Sequence, residues 1–153
     1  MKYVQLGSSP LEVSNICLGS MTWGVQNNQN DANAQIEYAQ SQGINFIDTA
    51  EMYAVPPTAE TYGKTEAIIG NWLAADSSRR ENIVLASKIA GPGFSYIRDG
   101  SKISGANVIA AVETSLKRLK TDYIDLYQLH WPNRQSPILA IIGLTVLTTL
   151  LLM

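Results

Sequence analysis

Ile83-Val84-Leu85-Ala86-Ser87-Lys88, then Val108, Val112, Leu116 and Leu119 at helical spacing, then Ile124-Asp125-Leu126-Tyr127-Gln128-Leu129-His130: this stretch decides the fold. Two apolar runs of strand length with a single helix between them read as a β-α-β unit. Its strands lie parallel, because one crossover helix returns the chain to the same end of the sheet. The helix begins near Ser104, and Lys117, Arg118 and Lys120 fall where cations favour the negative end of its dipole. A loop with Gly91, Gly93 and Gly100 precedes it.

The same alternation extends towards the N-terminus. A strand Ile16-Cys17-Leu18-Gly19 precedes a helix that runs from an Asp31 cap through Ile36 and Ala39 to a stop at Gly43. The strand Ile44-Asn45-Phe46-Ile47 follows, and then a helix over about Lys64 to Ala75 whose apolar face is Ile68, Ile69, Trp72 and Leu73. Ahead of all this, Lys2-Tyr3-Val4-Gln5-Leu6 and Leu11-Glu12-Val13 flank Gly7-Ser8-Ser9-Pro10 and predict a small hairpin. The fold class is therefore α/β, with four parallel strands, three helices and an opening hairpin.

Composition narrows the function. The 153 residues are 16% charged with a net charge of −2, so no basic stripe offers a nucleic-acid surface; a small neutral ligand or a protein partner fits better. Cys17 is the only cysteine, which excludes an internal disulfide framework and suits a reducing, cytoplasmic setting; its apolar neighbours predict a buried thiol. The N-terminus has no apolar run of the secretory kind. Gly63-Lys64-Thr65 looks like the end of a phosphate loop, but Thr58 stands where the first glycine is required, so it reads as a helix start; Gly91 and Gly93 do not make a dinucleotide fingerprint.

In parallel α/β proteins the functional groups collect where strands end. Asp48 closes the second strand with Tyr53 soon after it, Lys88 closes the third and His130 the fourth. Singly, each has an ordinary structural reading: a loop carboxylate, an interfacial aromatic, a solvated strand terminus, a hydrogen-bonded histidine. Together they solve one chemical problem, delivering a proton at neutral pH from a phenol whose ordinary pKa is about 10. The Lys88 ammonium is expected to lower that pKa, Asp48 to hold the ammonium, and a neutral His130 to donate a hydrogen bond to a carbonyl oxygen. Carbonyl reduction is the chemistry suggested, with a hydride from a nicotinamide.

The stretches Leu18-Gly19-Ser20-Met21-Thr22-Trp23-Gly24, Asn45-Phe46-Ile47-Asp48-Thr49-Ala50-Glu51-Met52-Tyr53, Ala86-Ser87-Lys88 and Asp122-Tyr123-Ile124-Asp125-Leu126-Tyr127-Gln128-Leu129-His130-Trp131-Pro132 resemble aldo-keto reductases, with a match close to the bacterial Tas-like branch. The resemblance implies a (β/α)8 TIM barrel of about 250 residues, of which this chain would supply the N-terminal half, truncated after about the fourth strand. It also implies NADPH-dependent reduction of aldehydes or ketones. Tyr53 would be the proton donor, Lys88 and Asp48 would tune it, and His130 would orient the carbonyl. Gly19, Ser20, Met21, Trp23 and Asp48 would lie at the cofactor, and the hairpin would close the bottom of the barrel.

Residues 1–134 form the expected partial barrel, and 135–153 an apolar tail. From Gln135 to Met153 there are nineteen residues without a charge, which as a helix would span roughly 28 Å. The alternative expectation is an inactive half-barrel that self-associates through open sheet edges, or one tethered by membrane contact through residues 138–153.

Overall fold

The computed structural model describes residues 1–131. The tail at 135–153, and any membrane contact through it, lie outside the described residues. Among the described residues no helix is long and apolar enough to cross a membrane.

Among the described residues, six strands and three α-helices run in the order β1 (Tyr3–Gln5), β2 (Glu12–Ser14), β3 (Cys17–Gly19), α1 (Gln29–Ser41), β4 (Phe46–Asp48), α2 (Lys64–Ala74), β5 (Val84–Ile89), α3 (Gly105–Leu119), β6 (Leu126–Leu129). β1 and β2 form the expected antiparallel hairpin. β3, β4, β5 and β6 form one parallel sheet in sequential order. Sequential order is that of consecutive βα units in a barrel; a doubly wound sheet of order 3-2-1-4-5-6 would place its fourth strand beside its first.

The register puts Cys17 opposite Phe46, Phe46 opposite Val84 and Ala86 opposite Leu126. Because side chains alternate along a strand, Leu18, Ile47, Leu85 and Tyr127 share the opposite, helix-covered face. There Leu85 and Ile47 join Trp23, Ile36, Ile69, Trp72 and Leu119 in the main core. Each fully buried aliphatic side chain of this layer contributes about 1.5–3 kcal/mol.

Helix starts follow local chemistry. The α1 cap is Asn28, not Asp31: the Asn28 side chain accepts from the N–H groups of Asn30 and Asp31, and the Asp31 carboxylate returns the bond to the Asn28 N–H, closing a capping box. Ala32, Ile36 and Ala39 then face the core. α2 starts after Gly63, which holds φ +77°, so Gly63-Lys64-Thr65 is a helix start as expected. The buried stripe of α3 is Ala111, Ser115 and Leu119, while Val108, Val112 and Leu116 are only partly buried. Small residues suit the close approach of α3 and α2: a Cβ on Gly70 would lie 2.1 Å from the Arg118 carbonyl oxygen.

The hairpin lies against the N-terminal ends of the parallel strands. The Asn45 side chain accepts from the Ser14 N–H at 2.8 Å and donates to the Glu12 carbonyl at 3.0 Å. Leu6 reaches the sheet's inner face beside Cys17, Phe46 and Leu126. The C-terminal ends of the parallel strands are left clear of the hairpin.

Candidate active site

Strand parity builds the site. Asp48 pairs in register with Ala86, and Lys88 with Gln128, so Asp48, Lys88 and Gln128 point to the inner face near the strands' C-terminal ends. His130 continues the Leu126–Gln128 alternation one step beyond β6, and its N–H donates to the Ile89 carbonyl at 3.1 Å.

Lys88 Nζ donates to Asp48 Oδ2 at 2.5 Å and to the Thr49 carbonyl at 2.8 Å. Gln128 Nε2 approaches Asp48 Oδ1 at 3.4 Å, and Ser20 Oγ donates to the Asp48 carbonyl at 2.7 Å. The same ammonium lies 5.1 Å from the centre of the Tyr53 ring. Tyr53 and His130 meet edge to face with centroids 5.4 Å apart. Asp48, Tyr53, Lys88 and His130, four positions scattered over the sequence, thus share one end of the sheet. Trp131 stands beside His130 at 5.1 Å and packs against Phe94 at 5.8 Å. Gly91 makes room for that indole, since a Cβ there would fall 2.1 Å from its Nε1.

The electrostatics correct one expectation and match another. Tyr53 is shifted upward from the ordinary phenol value, first by loss of water and then by the Asp48 charge. Lys88 does not lower it, because its charge is neutralised by Asp48 at contact distance and it lies over the ring. The phenol therefore holds its proton at neutral pH. His130 is depressed to about 4, by desolvation first and the Lys88 charge second, with Asp48 opposing. It is neutral at pH 7, with Nδ1 buried and unpartnered among the described residues.

The segment expected at the cofactor divides. Gly19 and Met21 are exposed, Met21 at 50%. Ser20 is buried and its hydroxyl holds the Asp48 main chain. Trp23 is corrected: at 1% exposure it belongs to the core, with Nε1 donating to Gln35 at 2.7 Å and its carbonyl accepting from Thr65. Cys17 is corrected in the other direction. It is exposed on the inner face, although nearby atoms and then the Asp48 charge still push its thiol up to about 11.

A cavity of about 410 Å³ on this inner face is lined by Leu6, Cys17, Gly19, Phe46, Asp48, Leu126 and Gln128. A mostly apolar floor with a carboxylate and a carboxamide at one rim suits a flat, neutral ring, and no lysine or arginine lines it. The larger hollow, about 900 Å³, lies near the opposite strand ends and is lined by Leu73, Arg80, Glu113, Leu116, Lys117 and Asp122, none of them among the site residues expected from the sequence. Gln128 was missed by the sequence reading, although its place two residues before His130 gives it the same inward parity. Glu51 and Arg98 were also missed, and no local pattern marks them.

A sequence model of the Aldo/keto reductase family matches residues 15–148. The chain is 51% identical over 139 residues to Protein tas of Escherichia coli, covering 89% of this chain and 40% of that protein. It is 41% identical over 141 residues to the uncharacterized oxidoreductase YrpG of Bacillus subtilis, covering 90% and 42%. Among solved structures, the holo form of aldo-keto reductase AKR11C1 from Bacillus halodurans superposes with a TM-score of 0.71 at 36% identity, covering 90% of this chain and 43% of that one. The chain thus spans about two-fifths of the length of these relatives.

Proposed function

The chain belongs to the aldo/keto reductase family, and on that premise we propose that it carries the proton-donating part of an NADPH-dependent reductase of aldehydes and ketones. The observation that supports this most is the convergence of Tyr53, Lys88, Asp48 and His130 at one end of a parallel sheet.

The nicotinamide, when bound, supplies the hydride. Gly19 and Asp48, which line the inner-face cavity, would hold its reacting ring together with the exposed Met21, and Ser20 fixes the main chain of Asp48. Tyr53 delivers its phenolic proton to the carbonyl oxygen as negative charge grows there. A phenol held above its ordinary pKa is fully protonated before the reaction and gives up its proton only to a stronger base, which the developing alkoxide is. Lys88, anchored by Asp48 and the Thr49 carbonyl, keeps a third N–H beside the ring that is losing a proton. His130, neutral, offers an N–H to the same oxygen and adds no competing acid. Trp131 and Phe94, packed edge to face beside His130, would screen the entrance to the site from water.

The test is carbonyl-dependent oxidation of NADPH by the wild-type chain and by Tyr53→Phe. Loss of about 10²–10⁴-fold in turnover with unchanged folding is expected, since only a hydroxyl is removed. Turnover by Tyr53→Phe at the wild-type rate refutes the assignment. A second reading, self-association through the open edges of the sheet, is favoured by the exposure of Cys17 and Leu129 on β3 and β6, the two outer strands of the sheet among the described residues. Sedimentation of the chain across a concentration series separates it from a monomer.

A further inference from the structure

Glu51 is a buried carboxylate that the proposed reaction does not use. It is 2% exposed, lies between Asp48 and Tyr53 in the sequence, and makes three contacts to neighbouring segments. Its N–H donates to the Lys88 carbonyl at 3.0 Å. One carboxylate oxygen accepts the Ala90 N–H at 2.9 Å, and the other accepts from Arg98 Nη1. Glu51 therefore grips the C-terminal end of β5, at the lysine's own carbonyl and two residues beyond it.

Arg98 extends the hold. Its Nη2 donates to the Ala90 carbonyl at 3.1 Å, and it sits in a loop where Arg98 and Asp99 adopt φ of 46° and 53°, a conformation that side-chain-bearing residues disfavour. That loop carries Phe94 and Tyr96, and Phe94 reaches Trp131 beside His130. One carboxylate thus joins the turn bearing Tyr53, the strand end bearing Lys88 and the aromatic loop at the entrance.

We propose that Glu51 is a positioning residue, whose buried carboxylate sets the spacing of Tyr53 to Lys88 and, through Arg98, moors the loop from Gly91 to Ser101 over the strand ends. The proposal rests on the reading of Tyr53 and Lys88 as the proton-donating pair. A control lies one layer away. Glu66 is fully buried too, and accepts from Ser87 Oγ at 2.6 Å and Arg118 Nε at 2.7 Å on the helix side of the same strand.

The experiment follows the titration of the Tyr53 phenol in the full chain by NMR of ring-labelled tyrosine, with the signal assigned by its absence in Tyr53→Phe. Glu51→Gln and Arg98→Gln are compared with Glu66→Gln, and each variant's unfolding midpoint is recorded. Glu51→Gln removes a negative charge and Arg98→Gln a positive one, so charge alone would move the phenol in opposite directions. Loss of positioning admits water in both, and both are expected to bring the phenol down towards its ordinary value. Glu66→Gln is expected to lower the midpoint and leave the phenol in place. Opposite shifts, no shift, or an equal shift in Glu66→Gln overturns the proposal. Because this readout needs no turnover, a wild-type chain inactive towards carbonyls would sink the reductase reading without deciding the role of Glu51. In an active chain, Glu51→Gln is expected to lower kcat with little change in KM.

Discussion

Two ion pairs stand at opposite ends of the same sheet, and they are built differently. At the N-terminal end, Arg80 donates to Asp125 at 2.7 Å, to the carbonyls of Ile83 and Tyr123 at 3.1 Å each, and to Thr121 Oγ1 at 3.2 Å, while its guanidinium lies 3.6 Å over the Tyr123 ring. Asp125 accepts a further bond from the Leu85 N–H at 2.8 Å. At the C-terminal end, Lys88 has Asp48 and one carbonyl, and around it the Tyr53 phenol is only half-buried and His130 Nδ1 has no partner among the described residues. The first pair is closely held by neighbours and largely closed to water. The second leaves donors free, as the proposed engagement of a reacting oxygen requires.

The comparison predicts opposite responses to the same kind of mutation. Arg80→Met strands a buried carboxylate and is expected to cost about 3–5 kcal/mol of stability in urea unfolding. The geometry at Tyr53 should be preserved in whatever fraction folds. A cost below about 1 kcal/mol would show that the N-terminal pair is ornamental and break the contrast. Lys88→Met, at the more open end where the Asp48 side chain is 28% exposed, is expected to cost only about 1 kcal/mol, while carbonyl reduction falls about a hundredfold or more. Equal stability losses for the two variants would mean that both pairs are structural.

The same division explains what the sequence could reveal. β5, α3 and β6 were readable because the strands are continuous apolar runs and the helix is periodic, signals that depend only on neighbours in the chain. The ends of strands were readable too, which is why Asp48, Lys88 and His130 could be brought together before any coordinates. What failed depended on distant partners. Ile16-Cys17-Leu18 looks uniformly buried, yet alternation turns Cys17 to the exposed inner face. In Gly19-Ser20-Met21-Thr22-Trp23, nothing local says that Trp23 turns into the core and Met21 outwards; α1 and α2 decide it. Asn28 and Asp31 are both good cap formers, and the reciprocal bonds use both. The phenol's direction was misjudged because a lysine lowers a neighbour's pKa only with charge to spare, and that of Lys88 is answered by Asp48.

The smallest effect expected is the most selective. His130 is the only histidine, so between pH 7 and 5 it is the one side chain whose ordinary pKa, about 6.5, falls in the window. In the folded chain it is depressed to about 4. As pH falls from 6.5 towards 4, the unfolded chain takes up a proton that the folded chain refuses, so binding favours the unfolded state and stability declines. Above the unfolded pKa, both states are neutral and the contribution is fully retained. His130→Gln removes this dependence while leaving the Arg80–Asp125 pair intact. Urea unfolding at pH 7 and pH 5 should therefore show a larger loss for wild type than for the variant. Because the imidazole is only half-buried, the difference should be modest; equal losses would mean that His130 is hydrated in solution and that the C-terminal end of the sheet is more open to water than its geometry implies.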